Sequence, residues 1–154
     1  MALLLKKCGP ELPEGCEDIF RNSDIYTRYF QGGRLANTLE RAAQNGELYI
    51  AFDESGRPLG AMKLVIRGFC GLYPYLALLG VHADSRGLGV GKFMLEQYER
   101  IARESGARRV TLMVSDFNEG GRRLYARMGY RKLGEIPDAV RQGITELVMI
   151  KDLE

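Results

Sequence analysis

Tryptophan is absent from this 154-residue chain, and histidine occurs once, as His82. A mechanism that needs two imidazoles is excluded, and a zinc site becomes improbable with it. The three cysteines, Cys8, Cys16 and Cys70, lack CxxC spacing, and an odd, scattered set fits reduced thiols in a reducing compartment. Nowhere do about 18 apolar residues run together, as a membrane span requires. The apolar opening Ala2-Leu3-Leu4-Leu5 is followed at once by Lys6 and Lys7, whereas a signal peptide places its charge first. The expectation is a cytoplasmic protein. A strong charge of either sign is also missing. With 22 Lys plus Arg against 20 Asp plus Glu, the net charge of +2 gives no argument for a nucleic-acid partner.

The hydrophobic fraction of 45% and charged fraction of 27% are those of an ordinary globular domain, and the length suits one domain. Residues 2–8 read as a short strand, broken by Pro10 and Pro13. A helical period runs from Glu14 through Ile19, Phe20 and Tyr26. Leu35, Leu39, Ala42 and Ala43 predict a second helix ending at Gly46. Residues 48–52 and 59–66 are strand-like and joined by a turn-rich link. Residues 73–81 are almost entirely apolar, as for a central strand buried on both faces. A glycine-rich turn and a helix bearing Met94, Leu95, Tyr98, Ile101 and Ala102 follow, closed by Gly106. Residues 110–114 form a strand and 119–128 a helix capped by Asn118 and stopped by Gly129. Strands at 130–136 and 144–150 end a β-β-β-α-β-α-β-β order, which makes a mixed α/β sheet with helices packed on it.

The turn Asp84-Ser85-Arg86-Gly87-Leu88-Gly89-Val90-Gly91-Lys92 lies between a strand and a helix. Alternate glycines free the backbone amides to converge, and the helix dipole adds to them, so the turn suits an anion. The dinucleotide fingerprint GxGxxG fails because Lys92 stands at its third glycine. The phosphate-binding GxxxxGK[ST] fails because Arg86 and Phe93 occupy required positions. The pattern that fits is R-x-x-G-x-G, as Arg86, Gly89 and Gly91. A second segment, from Asp116 to Tyr130, fits N-x-x-A-x-x-x-Y-x-x-x-G-[FY] through Asn118, Tyr125, Gly129 and Tyr130, with Gly121 in place of the alanine.

On these two motifs the sequence resembles the GNAT superfamily of acetyl-CoA-dependent N-acetyltransferases, over roughly residues 47–151. The resemblance implies a mostly antiparallel central sheet with splayed fourth and fifth strands and helices on both faces. It implies a single domain, 1–154, with acceptor-side helices in 1–46 and an acetyl-CoA-binding core in 47–154. Acetyl-CoA would be the cosubstrate, with no metal. Arg86, Gly87, Leu88, Gly89, Val90, Gly91 and Lys92 would hold its pyrophosphate. Leu79, Gly80 and Val81 would present backbone to the pantetheine arm, and an amide near Leu79 would face the thioester oxygen. Asn118 would bond the arm, and Tyr125 would act as the acid that protonates the departing thiolate.

A general base is missing from the place where such enzymes often carry a glutamate, because Tyr73, Tyr75, Ala77 and Leu79 fill that strand. Glu146 and Asp116 are the distant candidates, acting through water. His82 precedes the turn and reads as a surface histidine. Residues 86–132 hold 11 basic and 5 acidic side chains, +6 locally against −4 elsewhere, which suits a phosphate-bearing cosubstrate and a cationic amine. Tyr26, Tyr29, Phe30, Tyr73 and Tyr75 are candidates for an aromatic acceptor pocket. The expected partners are acetyl-CoA and an amine, with no nucleic acid and no membrane, in a monomer or homodimer. The alternative is an acyl-CoA-binding regulatory module without catalysis, which the missing strand carboxylate favours. Nucleic-acid binding through Arg108, Arg109, Arg122 and Arg123 is disfavoured by the absence of interleaved aromatics.

Overall fold

The structure, a computed structural model, describes residues 2–154. Its strands are β1 (Leu4–Lys7), β2 (Leu48–Phe52), β3 (Pro58–Phe69), β4 (Tyr73–Val81), β5 (Arg109–Ser115), β6 (Arg131–Pro137) and β7 (Thr145–Asp152). They form one seven-stranded sheet in the order β1-β2-β3-β4-β5-β7-β6. The β1–β2, β2–β3, β5–β7 and β6–β7 ladders are antiparallel, and β4–β5 is parallel. The helices are α1 (Asp18–Arg21), α2 (Arg34–Gln44), α3 (Val90–Glu104) and α4 (Glu119–Arg127). The mixed α/β class and the mostly antiparallel sheet follow the sequence reading. Among the described residues, no helix is long and apolar enough to cross a membrane.

The chain divides into two compact units. The first comprises the chain up to Leu64 together with Leu78–Gln97, and the second comprises Val65–Ala77 and Tyr98–Glu154. In the first, α2 buries Leu35, Leu39, Ala42 and Ala43 at helical spacing, against a cluster that includes Ile19, Phe20, Leu48 and Ile50. Burial of each large apolar side chain is worth roughly 1.5–3 kcal/mol. The helix expected from Glu14 to Tyr26 is broken. Only Asp18–Arg21 is α-helical, and a separate π-helical turn covers Tyr26–Phe30. Ser23 explains the interruption: its hydroxyl donates to Phe20 O at 2.5 Å and accepts from Tyr26 N at 3.1 Å, replacing helical bonds with local ones.

In the second unit, β7 is the centre of packing. It pairs with β5 from Arg109↔Asp152 to Ser115↔Glu146 and with β6 on its other side. The Tyr98 hydroxyl donates to Thr111 O at 2.8 Å, and the Thr111 hydroxyl donates to Pro74 O at 2.7 Å, fixing β4 beside β5. Glu99 is buried but paired, accepting from Lys151 Nζ at 2.8 Å and from the Tyr130 hydroxyl at 3.1 Å.

Strand β4 departs from expectation. Only Pro74 and Leu76 are buried, and the rest of the strand is half-buried. Burial on both faces needs flanking strands along the whole length, and the β4–β5 ladder consists of Tyr75↔Thr111 and Leu76↔Leu112.

Candidate functional site

In the first unit, β4 ends at Val81, a 3-10 turn covers Ala83–Ser85, and α3 begins at Val90. Gly87 and Gly89 have φ of +77° and +87°, a left-handed conformation that glycine adopts without steric cost. The first i→i−4 bond of this helix entry runs from Phe93 N to Gly89 O at 3.0 Å, which leaves the amides of residues 90–92 ahead of the helical ladder. Gly87, Leu88, Gly89 and Lys92 are exposed and Gly91 is half-buried, whereas the Val90 side chain is buried and anchors the start of α3. The turn therefore offers amides outside the helical ladder and the positive end of a helix dipole, and it fits an oxyanion.

Charged side chains brace this turn. Asp84 accepts from Arg57 Nη2 at 2.6 Å and from the Ser85 hydroxyl at 3.0 Å, and these bonds with the Arg57 charge hold its carboxyl below the usual range. His82 Nδ1 lies 2.9 Å from Asp84 Oδ1, and the imidazole is only 19% exposed, more enclosed than the sequence suggested. Arg86 donates from Nε to Val81 O at 3.4 Å and from Nη2 to Asn22 O at 3.0 Å. Its guanidinium thus ties the turn to the end of β4 and to the C-terminal cap of α1.

Gly80 has a steric explanation within this unit. A Cβ there would overlap the Phe20 ring, so the glycine admits the aromatic from α1. Leu79 and Val81 on either side are half-buried.

The second unit holds the other two predicted site residues. Asn118 caps α4, its Oδ1 accepting from Gly121 N at 3.0 Å. A Cβ at Gly121 would stand 2.7 Å from Asn118 Nδ2, so the glycine at this position fits the cap closely. Tyr125, 6% exposed, packs edge-on against Tyr130 with ring centroids 6.0 Å apart. Burial, reinforced by Tyr75, pushes the Tyr125 phenol well above its ordinary value. Tyr75 itself is pushed up to about 12 by burial and then by the charge of Glu146.

Sequence reasoning gave no sign of how Glu146 is held. It is buried on β7, and its Oε1 accepts from the Ser115 hydroxyl at 3.1 Å. The signal available was an acidic residue at the head of the apolar run Leu147 to Ile150. Asp116, the other candidate base, is exposed and lies against the Thr145 amide at 3.4 Å. The aromatic candidates fall into two sets. Tyr29 and Phe30 stack edge-on in the first unit, with Phe20 beside Phe30, and Tyr75 packs against Phe69 in the second. Among the described residues, no group of three or more His, Cys, Asp or Glu is arranged to hold a metal ion.

The sequence profile of the Acetyltransferase (GNAT) family matches residues 15–130, a span that contains both the glycine turn and Tyr125. The chain belongs to the GNAT family. It is an acyltransferase. No curated protein matches it by sequence. Among solved structures it is similar to the NatC complex bound to Gag peptide and CoA, at 18% identity and a TM-score of 0.75 over 100% of both chains. It is similar to yncA from Salmonella typhimurium with its cofactor acetyl-CoA, at 17% identity and 0.72, over 100% of this chain and 95% of that one. Nourseothricin acetyltransferase aligns at 22% identity and 0.64, over 70% of this GNAT chain and 65% of the other. These likenesses establish the GNAT fold.

Proposed function

We propose that this GNAT chain transfers the acetyl group of acetyl-CoA to a primary amine by direct attack in a ternary complex. The observation that carries the reading is the glycine turn, where Gly87 and Gly89 hold a left-handed φ and the amides of residues 90–92 precede the first bond of a 15-residue helix. A diphosphate is the ligand such a site favours. In this reading Leu79 and Val81 give backbone hydrogen bonds to the pantetheine arm, and the Leu79 amide stabilises the thioester oxygen as it gains charge. Asn118, with its Oδ1 engaged in the cap, offers its side-chain N–H to the arm. Residues 1–46 belong to the acceptor side.

Tyr125 is assigned to the leaving group. Its raised phenol stays protonated throughout the neutral range, so a donor is always present. A thiolate with a pKa near 8.5 is a weaker base than this phenolate, so the gain comes chiefly from a hydrogen bond that strengthens as C–S cleavage proceeds. A covalent acyl-cysteine is disfavoured. Cys8 and Cys16 are buried, and burial pushes the Cys16 thiol up to about 12, which leaves it protonated and poorly nucleophilic. Support for the donor comes from yncA, solved with acetyl-CoA, and from the NatC complex, solved with CoA.

The test is calorimetric titration of the purified protein with acetyl-CoA, followed by thiol release with a panel of alkylamines, polyamines, aminoglycosides and short peptides. The expected result is saturable uptake and amine-dependent release of free CoA. Absence of uptake overturns the proposal.

A further inference from the structure

An amine enters such a site as ammonium. With a pKa near 10.4, fewer than about one molecule in a thousand carries a free lone pair at pH 7, so the reaction needs a proton acceptor. Strand β4 offers no carboxylate, and His82 belongs to the network of Asp84 and Arg57 in the first unit. Two glutamates are buried among the described residues, Glu99 and Glu146. Glu99 is committed to Lys151 and Tyr130.

Glu146 is placed differently. Residues opposite each other in a ladder project to one face, as do residues two or four apart along a strand. Ser115 is opposite Glu146, Thr111 is opposite Tyr75, and Thr111 and Ser115 are four apart on β5. Tyr75 and Glu146 therefore share one face of the sheet. The Glu146 charge reaches Tyr75, and Tyr75 in turn acts on Tyr125. A buried carboxylate held by the Ser115 hydroxyl thus shares the sheet face of Tyr75.

We infer that Glu146 is the general base, taking the proton of the acceptor ammonium on the face of the sheet that carries Tyr75 and Ser115. This rests on the acetyl-transfer reading above. The ammonium gives its first proton to the Glu146 carboxylate, and the freed nitrogen pair forms the C–N bond while the carbonyl π pair moves to oxygen. Collapse of the adduct breaks the C–S bond, and sulfur leaves with that pair, held by the Tyr125 hydrogen bond, taking the Tyr125 proton only as the second nitrogen proton reaches the phenol oxygen. The second nitrogen proton restores the Tyr125 phenol, and Glu146 releases its proton to solvent. One ammonium and one thioester become one amide, one thiol and one solvent proton.

The test uses Glu146→Gln and Glu146→Asp in the full chain, with acetyl-CoA uptake by calorimetry, thermal unfolding, and kcat/KM from pH 6.5 to 9.5 with the best amine of the panel. The Gln variant is expected to bind acetyl-CoA within about twofold of the parent. It should lose about a hundredfold to ten-thousandfold in kcat/KM at pH 7, the usual worth of a general base. The deficit should shrink about tenfold per pH unit as solution supplies neutral amine. The Asp variant should recover at least about tenfold over Gln. A deficit constant across pH, or a Gln variant as active as the parent, overturns the assignment. So does a Gln variant that folds but no longer takes up acetyl-CoA, since that marks a structural role. Where the Gln variant does not fold, the Asp variant decides: lowered turnover with an acid limb supports the base, and a flat profile removes it. A parent that takes up no acetyl-CoA overturns the donor reading itself, whatever Glu146 does.

Discussion

A Cβ built on Gly80 would stand 2.6 Å from Cδ1 and 2.7 Å from Cζ of Phe20, so the ring can pack against the strand because position 80 carries no side chain. Gly80→Ala is expected to cost about 1–3 kcal/mol by overpacking, and Phe20→Ala about 3–5 kcal/mol by leaving a cavity. In the double variant the inserted methyl occupies part of that cavity, so urea unfolding should show a cost below the sum of the two. Additive costs would mean that the two residues do not meet.

Gly89 tests the turn. Its φ of +87° makes Gly89→Ala strained, and the altered backbone turns amides away from the anion position. Acetyl-CoA uptake should weaken about tenfold or more by calorimetry, with a stability loss of about 1 kcal/mol. Affinity equal to the parent would remove the turn from the binding site.

Removal of the Tyr125 hydroxyl addresses the leaving group. Tyr125→Phe should lower kcat by roughly tenfold to a thousandfold while acetyl-CoA uptake stays within about twofold. Since thiolate is a fair leaving group, the lower part of that range is expected. Turnover unchanged from pH 7 to 9 would exclude the phenol from this role.

Alkaline pH should unfold the protein earlier than charge repulsion alone would suggest. Tyr75, Tyr98, Tyr125 and Tyr130 are all raised, in each case first by burial. Unfolded tyrosine ionises near 10, whereas the folded phenols keep their protons to higher pH. Below pH 10 both states are protonated and the contribution is complete. Between 10 and 12 the unfolded chain gains by ionising, and stability falls by about 1.4 kcal/mol per pH unit for each phenol still protonated in the fold. Melting temperature should hold from pH 8 to 9.5 and then drop steeply; a flat profile to pH 11.5 would contradict this account.

Loss of the cap on α4 should be smaller. Asn118→Ala removes the bond to Gly121 N and is expected to cost about 1 kcal/mol, seen as a fall of a few degrees in melting temperature. No change would show that the helix start is held by other contacts.

Much of this was legible in the chain because its causes are local. Residues 48–52 and 73–81 are apolar runs that break where β2 and β4 begin and end. Gly87 and Gly89 require their turn, Asn118 caps α4, and the motif register singled out Tyr125 as a unit, since each spacing reflects one helical period or one turn. Where local competition decided, sequence periodicity misled: the helix of Glu14 to Tyr26 yields to the Ser23 side-chain bonds.

Tertiary structure alone decided the rest. That Gly80 serves the Phe20 ring depends on residues 60 positions apart meeting, and no pattern near either one records it. That Glu146 lies opposite Ser115, on the face of Tyr75, depends on the register of β5 with β7 and of β4 with β5. A strand's sequence states which residues alternate; which neighbour each one faces is fixed only when the ladders close, because register is a property of the pair.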